Sequence, residues 1–442
     1  MLPLYTSILS TEQYGTVDLI STYTSLLMIV LTIQFEQGIF RHLIEVRSDS
    51  TKQKQYISTA MLSVSVFIIL FIATFSGLLM ALDYQYTFYL IAISSLSTWN
   101  ALLLQTPRGL GDNTTYAIGS FINGSLTVIL NVIFVAILRL EVKGMLLANV
   151  VSLFVSSAFI VCRIRLWNYL GWKYANKQCF YELLKYSLPL VPYTLCWWVI
   201  SASDRMLIKM FLGTSFNGIY AAAYKFPSLF SMVTNIFQLS WTESASENVN
   251  ETDRDQYYSK VFTKTFKLYS SVNMGLILVM PFFFDMLIGE AFSEAYYYIP
   301  ILLSAALFHS IAAMYGSIYF AFKKTKAIST TTLLAALINL VVNFLLIRSI
   351  GLYAAAISSL VAYIVITLIR HTDIQRLAVL KISKTYLLIE AVVYIPVLIS
   401  YYKKNLVLSG LMLVLGGVYC IWQNREIMIS TLNLIYKKIR NR

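Results

Sequence analysis

The sequence predicts an all-α integral membrane protein, and three observations carry that reading. Apolar runs follow one another from Tyr14 to about Asn424 with short polar joints between them. Each run approaches or exceeds the ~20 residues a helix needs to cross a hydrocarbon core ~30 Å thick. The composition is 58% hydrophobic and 12% charged, with a mean hydropathy of +0.69. The basic residues, finally, collect in alternate joints, as topology in a bilayer requires.

The runs are justified in order by the joints that close them. Run 14–40 ends at Arg41, Arg47, Lys52 and Lys54, and runs 57–82 and 86–106 are followed by Arg108. Runs 114–138 and 144–162 turn at Arg139 and Lys143 and end at Arg163 and Arg165. Lys173, Lys177 and Lys185 precede or open run 184–210, which meets run 215–240 near Lys209. Arg254, Lys260, Lys264 and Lys267 introduce run 261–284, and Lys323, Lys324 and Lys326 close run 297–322. Runs 327–347 and 351–370 turn at Arg348 and lead to Arg370, Arg376, Lys381 and Lys384. Runs 385–402 and 405–424 turn at Lys403 and Lys404, before a basic tail with Arg425, Lys437, Lys438, Arg440 and Arg442.

This makes thirteen full crossings, with twenty-six of the 34 Lys and Arg on one side and six on the other. The rich side is cytoplasmic by the positive-inside rule. One missed crossing would scramble the asymmetry. The net charge of +13 is therefore spent on orientation and anionic headgroups, and no nucleic-acid partner is expected. The four cysteines (Cys162, Cys179, Cys196, Cys420) are scattered, with no CxxC and no histidine at metal spacing. No metal, disulfide or cofactor is expected.

The first nine residues are apolar but too short to span, and they lack the basic region and cleavage site of a signal peptide. Run 14–40 must start on the outer side, so a preceding helix is expected and the first helix reads as truncated. The expected organisation is an N-terminal helix bundle at 1–163 and a cytoplasmic interfacial linker at 164–183. A C-terminal bundle at 184–370 follows, then a linker and two extra crossings at 371–424, and a basic cytoplasmic tail at 425–442. Trp167, Tyr169 and Trp172 among basic residues suit a linker lying in the headgroup layer. The bundles read as copies: Asn131, Arg139 and Gly144 recur as Asn339, Arg348 and Gly351, at a nearly constant offset. Repeats of even crossing number share topology, and such parallel repeats are expected to enclose a central cavity.

No Walker loop, GxSxG, HExxH or large extramembrane domain is present in the sequence. What remains is a set of ionisable residues within or bordering the apolar runs, where a charge costs roughly 2.5–3.5 kcal/mol on insertion scales. Lys225 is expected near the midplane, with Pro227 two residues on removing a backbone donor and kinking the helix. Asp204 and Arg205 lie toward the outer end of their helix, point ~100° apart and need not pair with each other. Arg205 shares a face with Trp198. His309, mid-helix, is a candidate proton carrier; Asp204 and Glu36 are the other coupling candidates. Arg41 and Arg108 end N-bundle helices on the cytoplasmic side, as topology anchors or substrate contacts. The excess of cations suits a substrate with clustered negative charge, such as a diphosphate.

Six segments stand out: Leu2-Pro-Leu-Tyr-Thr-Ser-Ile-Leu-Ser-Thr-Glu-Gln-Tyr-Gly15, Gly38-Ile-Phe-Arg-His-Leu-Ile-Glu45 and Leu184-Lys-Tyr-Ser-Leu-Pro-Leu-Val-Pro192. Trp197-Trp-Val-Ile-Ser-Ala-Ser-Asp-Arg205, Asn217-Gly-Ile-Tyr-Ala-Ala-Ala-Tyr-Lys-Phe-Pro227 and Gln238-Leu-Ser-Trp-Thr-Glu-Ser-Ala245 complete the set. Together they resemble the polysaccharide-repeat-unit flippases, the Wzx-type exporters of the superfamily that includes the MATE exporters and lipid II flippases. The resemblance implies fourteen helices: two six-helix bundles around a central cavity plus two C-terminal helices. It implies a multi-pass protein of the bacterial inner (plasma) membrane that flips undecaprenyl-diphosphate-linked oligosaccharide by alternating access, for O-antigen, capsule or exopolysaccharide. The polymerase and glycosyltransferases of such a pathway are the implied partners, beside the lipid bilayer itself.

Two rivals are distinguishable in the sequence. A MATE-like cation-coupled exporter would favour acidic residues deep in the bundles, whereas Lys225 and Arg205 are cationic. A membrane-embedded O-antigen polymerase or glycosyltransferase would favour a large outer loop, and the longest here, about 285–296, is short and has no Arg or Lys.

Overall fold

The computed structural model describes residues 1–81, 85–381 and 383–429. The basic residues Lys437, Lys438, Arg440 and Arg442 of the tail lie outside them. The chain forms two compact units, Pro3–Met206 and Leu207–Arg442.

The first unit holds α1 (Leu2–Ile8), α2 (Thr11–Thr32), α3 (Phe35–Glu45), α4 (Ser50–Ala81) and α5 (Thr87–Leu110). It continues through α6 (Asn113–Asn131), α7 (Glu141–Arg163), α8 (Lys177–Ser187) and most of α9 (Leu190–Phe211). Ser10 and Gln13 form a capping box at the start of α2: Gln13 N–H donates to Ser10 Oγ (3.2 Å), and Ser10 N–H to Gln13 Oε1 (2.9 Å). Two orphan amides of the first turn are thereby satisfied.

Run 14–40 is two helices rather than one. Ile33 and Gln34 have φ of 47° and 60°, a left-handed conformation that a β-branched residue rarely adopts, and α3 restarts after it. Gly111, at φ 95°, ends α5, and Arg47 Nε donates to the Gly109 carbonyl at 2.9 Å, a cation set against the helix's negative end. α6 runs into a π-helical segment, Val132–Ile137, before the turn to α7.

Asp112 caps α6, accepting from Thr115 N–H (2.9 Å) and the Thr115 hydroxyl (2.5 Å). These bonds hold its carboxyl below the usual aspartate range. Asp112→Ala should cost about 1 kcal/mol, as lost caps generally do. The sign follows from the lowered pKa: the contribution is present above the unfolded value near pH 4 and lost as pH falls through the lower folded value. Thermal melts of both proteins should therefore differ at neutral pH and converge in acid.

The joint between α7 and α9 is structured. Short 3₁₀ turns at Leu166–Asn168 and Trp172–Tyr174 lead into α8, so the apolar run read at 184–210 is divided between the end of α8 and α9. Cys179 and Leu183 of α8 enter a core with Phe35, Ile39 and Leu43 of α3 and Ile57 of α4. Tyr56 and Gln178 donate to Glu182 and hold its carboxyl below the usual range. Ser58 donates to the Tyr169 carbonyl, and Asn176 N–H donates to Thr59 Oγ1 at 3.0 Å. Trp167 and Trp172 remain exposed.

The second unit holds α10 (Thr214–Glu247), α11 (Arg254–Leu287), α12 (Ala295–Ala321), α13 (Thr325–Ile350), α14 (Leu352–Ile374), α15 (Lys384–Tyr402) and α16 (Leu406–Gln423). α12 is its centre, with most of its residues buried. Along it, Gln238 donates to the Ala313 carbonyl (2.8 Å) and Trp241 to the Met314 carbonyl (3.1 Å), while Thr234 pairs with Ser310 (2.9 Å). Polar contacts of this kind hold helices together where lipid removes the hydrophobic driving force. α10 runs on through Pro227, which lies inside the helix.

The helices of the two units pack in a similar pattern. In the first unit α5 lies against α2, α3 and α7, and α6 against α7; in the second α12 lies against α10 and α14, and α13 against α14. Among the described residues, eleven helices are long and apolar enough to cross a membrane. They correspond to eleven of the thirteen expected crossings. The other two are α9, whose apolar part is the shorter Leu190–Ile200, and α10. These two helices carry Asp204, Arg205 and Lys225.

Candidate functional site

Asp18 and Arg205 meet in the first unit, and they organise the only ion pair among the described salt bridges that joins two apolar helices there. Arg205 Nε donates to Asp18 Oδ2 at 2.7 Å, with side-chain exposures of 12% and 16%. Seven residues along each helix, Trp198 Nε1 donates to Ser25 Oγ at 2.9 Å. A spacing of seven is two turns, so Asp18 and Ser25 share one face of α2, and Arg205 and Trp198 share one face of α9. The matched spacings set the register of α2 against α9. Arg205 lies about six residues from the end of α9, ~9 Å of helix rise. Sequence reasoning named Arg205 and its shared face with Trp198 but missed Asp18. The available signal was an acidic residue one helix turn past Tyr14, inside an apolar run.

The other candidates are placed apart. Asp204 is buried, 2% exposed, on the neighbouring face of α9. Glu36 sits in the first turn of α3, beside the Ile33–Gln34 break. It is buried and its Oε2 has no hydrogen-bond partner, so it is not a solvated helix-end residue. Arg41 pairs with Glu45 at 2.9 Å with both side chains half exposed. Arg108 lies over the ring of Phe40 at 4.4 Å and near that of Tyr116 at 5.5 Å, tying α5 to α3 and α6.

In the second unit Lys225 is exposed on α10, on the side where Leu229, Met232, Val233 and Ile236 are also exposed. His309 lies half-buried in α12, its ring centroid 4.9 Å from that of Tyr363 in α14. Nearby Arg370, counted in the sequence among the cytoplasmic cations, is 1% exposed. It donates to the Ala312 carbonyl (2.8 Å), Thr331 Oγ1 (3.0 Å) and Thr332 Oγ1 (2.9 Å), bracing α12, α13 and α14. A groove of about 950 Å³ opens between α11, α12, α14 and α15, lined by Phe262, Tyr315, His371, Glu390 and Tyr394 among others. Glu390, also missed in the sequence, accepts from Tyr419 (2.7 Å) and Tyr386 (3.1 Å).

Packed apolar helices with one largely covered inter-helix ion pair and an apolar groove describe a polytopic membrane protein. The structure is similar to that of an inward-facing multidrug resistance MATE family transporter of the MOP superfamily, with a TM-score of 0.71 at 13% identity, covering 85% of this chain and 93% of that one. It is also similar to the lipid II flippase MurJ in an inward closed conformation, with a TM-score of 0.67 at 14% identity, covering 96% of this chain and 97% of that one. At these identities the likeness is one of fold.

The chain belongs to the polysaccharide biosynthesis protein family, which it matches over residues 1–242. That stretch contains Glu36, Arg41, Arg108, the Asp18–Arg205 pair and Lys225. The chain is also similar to the probable low-salt glycan biosynthesis flippase Agl15 of Haloferax volcanii, at 21% identity over 281 residues, 60% of this chain. It spans little more than half, 56%, of that curated relative's length.

Proposed function

We propose that this protein is a flippase that moves lipid-linked oligosaccharide repeat units across a membrane for polysaccharide assembly. The family match over residues 1–242 carries the reading. The similarity to a protein named as a glycan biosynthesis flippase and the fold shared with a lipid II flippase support it. The particular substrate we propose is undecaprenyl-diphosphate-linked oligosaccharide, moved by alternating access in a bacterial inner membrane for O-antigen, capsule or exopolysaccharide. The polymerase and glycosyltransferases of the same pathway are its proposed neighbours. It is a transporter and not an enzyme in this reading.

Lys225 and Arg205 are the proposed cationic contacts for the diphosphate, with Arg41 and Arg108 nearer the cytoplasmic ends of their helices and Asp204 and His309 as further contacts. Glu36, Asp204 and His309 are the proposed coupling groups. The two-bundle organisation with two appended C-terminal helices, α15 and α16, belongs to the same proposal.

The test is flipping by the purified full chain in proteoliposomes carrying a fluorescent undecaprenyl-diphosphate oligosaccharide, followed by the fraction open to a membrane-impermeant quencher. Protein-dependent exposure of the inner pool is expected. Efflux of a cationic dye with no movement of the lipid-linked sugar would instead favour the drug-exporter reading.

A further inference from the structure

The second unit contains a small cavity with a basic lining that the flippase reading does not use. It has a volume of about 310 Å³, at the lower end of the range for ligand sites, and lies between α11, α15 and the end of α16. Lys264, Lys267 and Arg425 line it, together with Ser383, Thr385 and Trp422. Three cations thus face one carboxylate, Glu426, whose Oε2 pairs with Lys264 Nζ at 3.3 Å and whose side chain is 75% exposed. The other two cations lie near aromatic rings. Lys267 Nζ is 5.0 Å from the centroid of the Tyr386 ring, and the Arg425 guanidinium 5.9 Å from that of Trp422.

Its depth is set by the helices. α11 has 34 residues, ~51 Å at 1.5 Å per residue, against a hydrocarbon core of ~30 Å. Its first turns therefore stand clear of the core, on the side the Lys and Arg asymmetry marks as cytoplasmic. α15 begins and α16 ends at that same level. The cavity belongs to the headgroup layer of the cytoplasmic leaflet, where the surface potential of anionic lipids favours basic pockets between helices. Trp422, 61% exposed, is the amphipathic ring expected at that depth. Ser383 and Thr385 add hydroxyl donors beside the cations.

We infer that this cavity binds the phosphodiester headgroup of an anionic phospholipid, held by Lys264, Lys267 and Arg425. The bound lipid joins the two C-terminal helices to α11 in a way that a neutral lipid does not. This site is independent of the transported substrate, and its test needs no transport assay.

The purified full chain is reconstituted in phosphatidylcholine nanodiscs and titrated with phosphatidylglycerol carrying a brominated acyl chain. Trp422 emission is read as the difference between the wild type and Trp422→Phe. Quenching is expected at low mole fractions of brominated phosphatidylglycerol and not with brominated phosphatidylcholine. At about 1 kcal/mol per cation near the surface, Arg425→Gln should weaken the preference about fivefold, and Lys264→Gln/Lys267→Gln/Arg425→Gln about a hundredfold. Lys323→Gln/Lys324→Gln/Arg376→Gln, at other cytoplasmic joints, should leave it unchanged. If the triple variant does not reconstitute, Arg425→Gln alone carries the test, since it removes an exposed terminal side chain. Unchanged selectivity in either variant overturns the assignment. Displacement of the lipid by millimolar glycerol phosphate would also overturn it, by identifying a site for a soluble phosphate.

Discussion

Asp18→Ala should lower the stability of the folded protein by about 3–5 kcal/mol, the range seen when one partner of a buried ion pair is removed. The pair joins α2 to α9 at 2.7 Å with both side chains largely covered. Truncating Asp18 would leave the Arg205 charge in a medium that screens it poorly. Arg205→Ala should cost a similar amount by removing the cation that faces the Asp18 carboxylate. Replacing both residues with apolar side chains of similar size, Asp18→Leu with Arg205→Met, should recover much of the loss, because the desolvation cost disappears with the charges. The check is thermal unfolding of the four proteins in one detergent. Additive losses in the double variant would show that the two side chains do not depend on each other.

Lys225→Ala should sharply reduce surface polysaccharide while expression and membrane insertion stay normal. A charge-assisted contact to phosphate contributes about 1.5–3 kcal/mol, or roughly one to two decades in affinity. Lys225 is exposed, and normal expression and insertion of the variant separate an effect on transport from one on folding. Lys225→Arg should retain part of the activity, since charge is kept but shape is not, and Lys225→Glu should abolish it. Wild-type polysaccharide levels in Lys225→Ala would leave the lysine without a role in transport.

The helices were legible because a bilayer imposes a length, and a long apolar run in sequence has few alternatives. Their interruptions were not. Ile33 carries no sequence signal for a left-handed backbone, since β-branching disfavours it, so α2 and α3 read as one run. The Leu188–Pro189 joint between α8 and α9 is itself apolar and merged them in the same way. Pro227 carries a strong signal for a bend, and α10 runs through it as one helix.

Side-chain partners were less legible still. Asp18 and Arg205 are 187 residues apart, and neither residue announces the other. Trp198 was readable as sharing a face with Arg205, because that relation is local to one helix. Arg370 was counted with the loop cations because it closes an apolar run, but its guanidinium turns back into α12 and α13. Local periodicity, in short, reports on a helix and not on what lies across from it.

The segment between α7 and α9 looks in sequence like a tether and is built as a splint. α8 packs on α3 at Gly38, where a β-carbon would force the Ser187 hydroxyl aside and press on Leu183. Ser58 and Thr59 of α4 bond the 3₁₀ turns ahead of it. α9 starts three residues after α8 ends, so its first turn inherits this anchorage. The Asp18–Arg205 pair clamps the same helix from its far end. Within the first unit α9 is thus fastened at its start and again at Arg205, and a pull on either point loads the rod between them without sliding it.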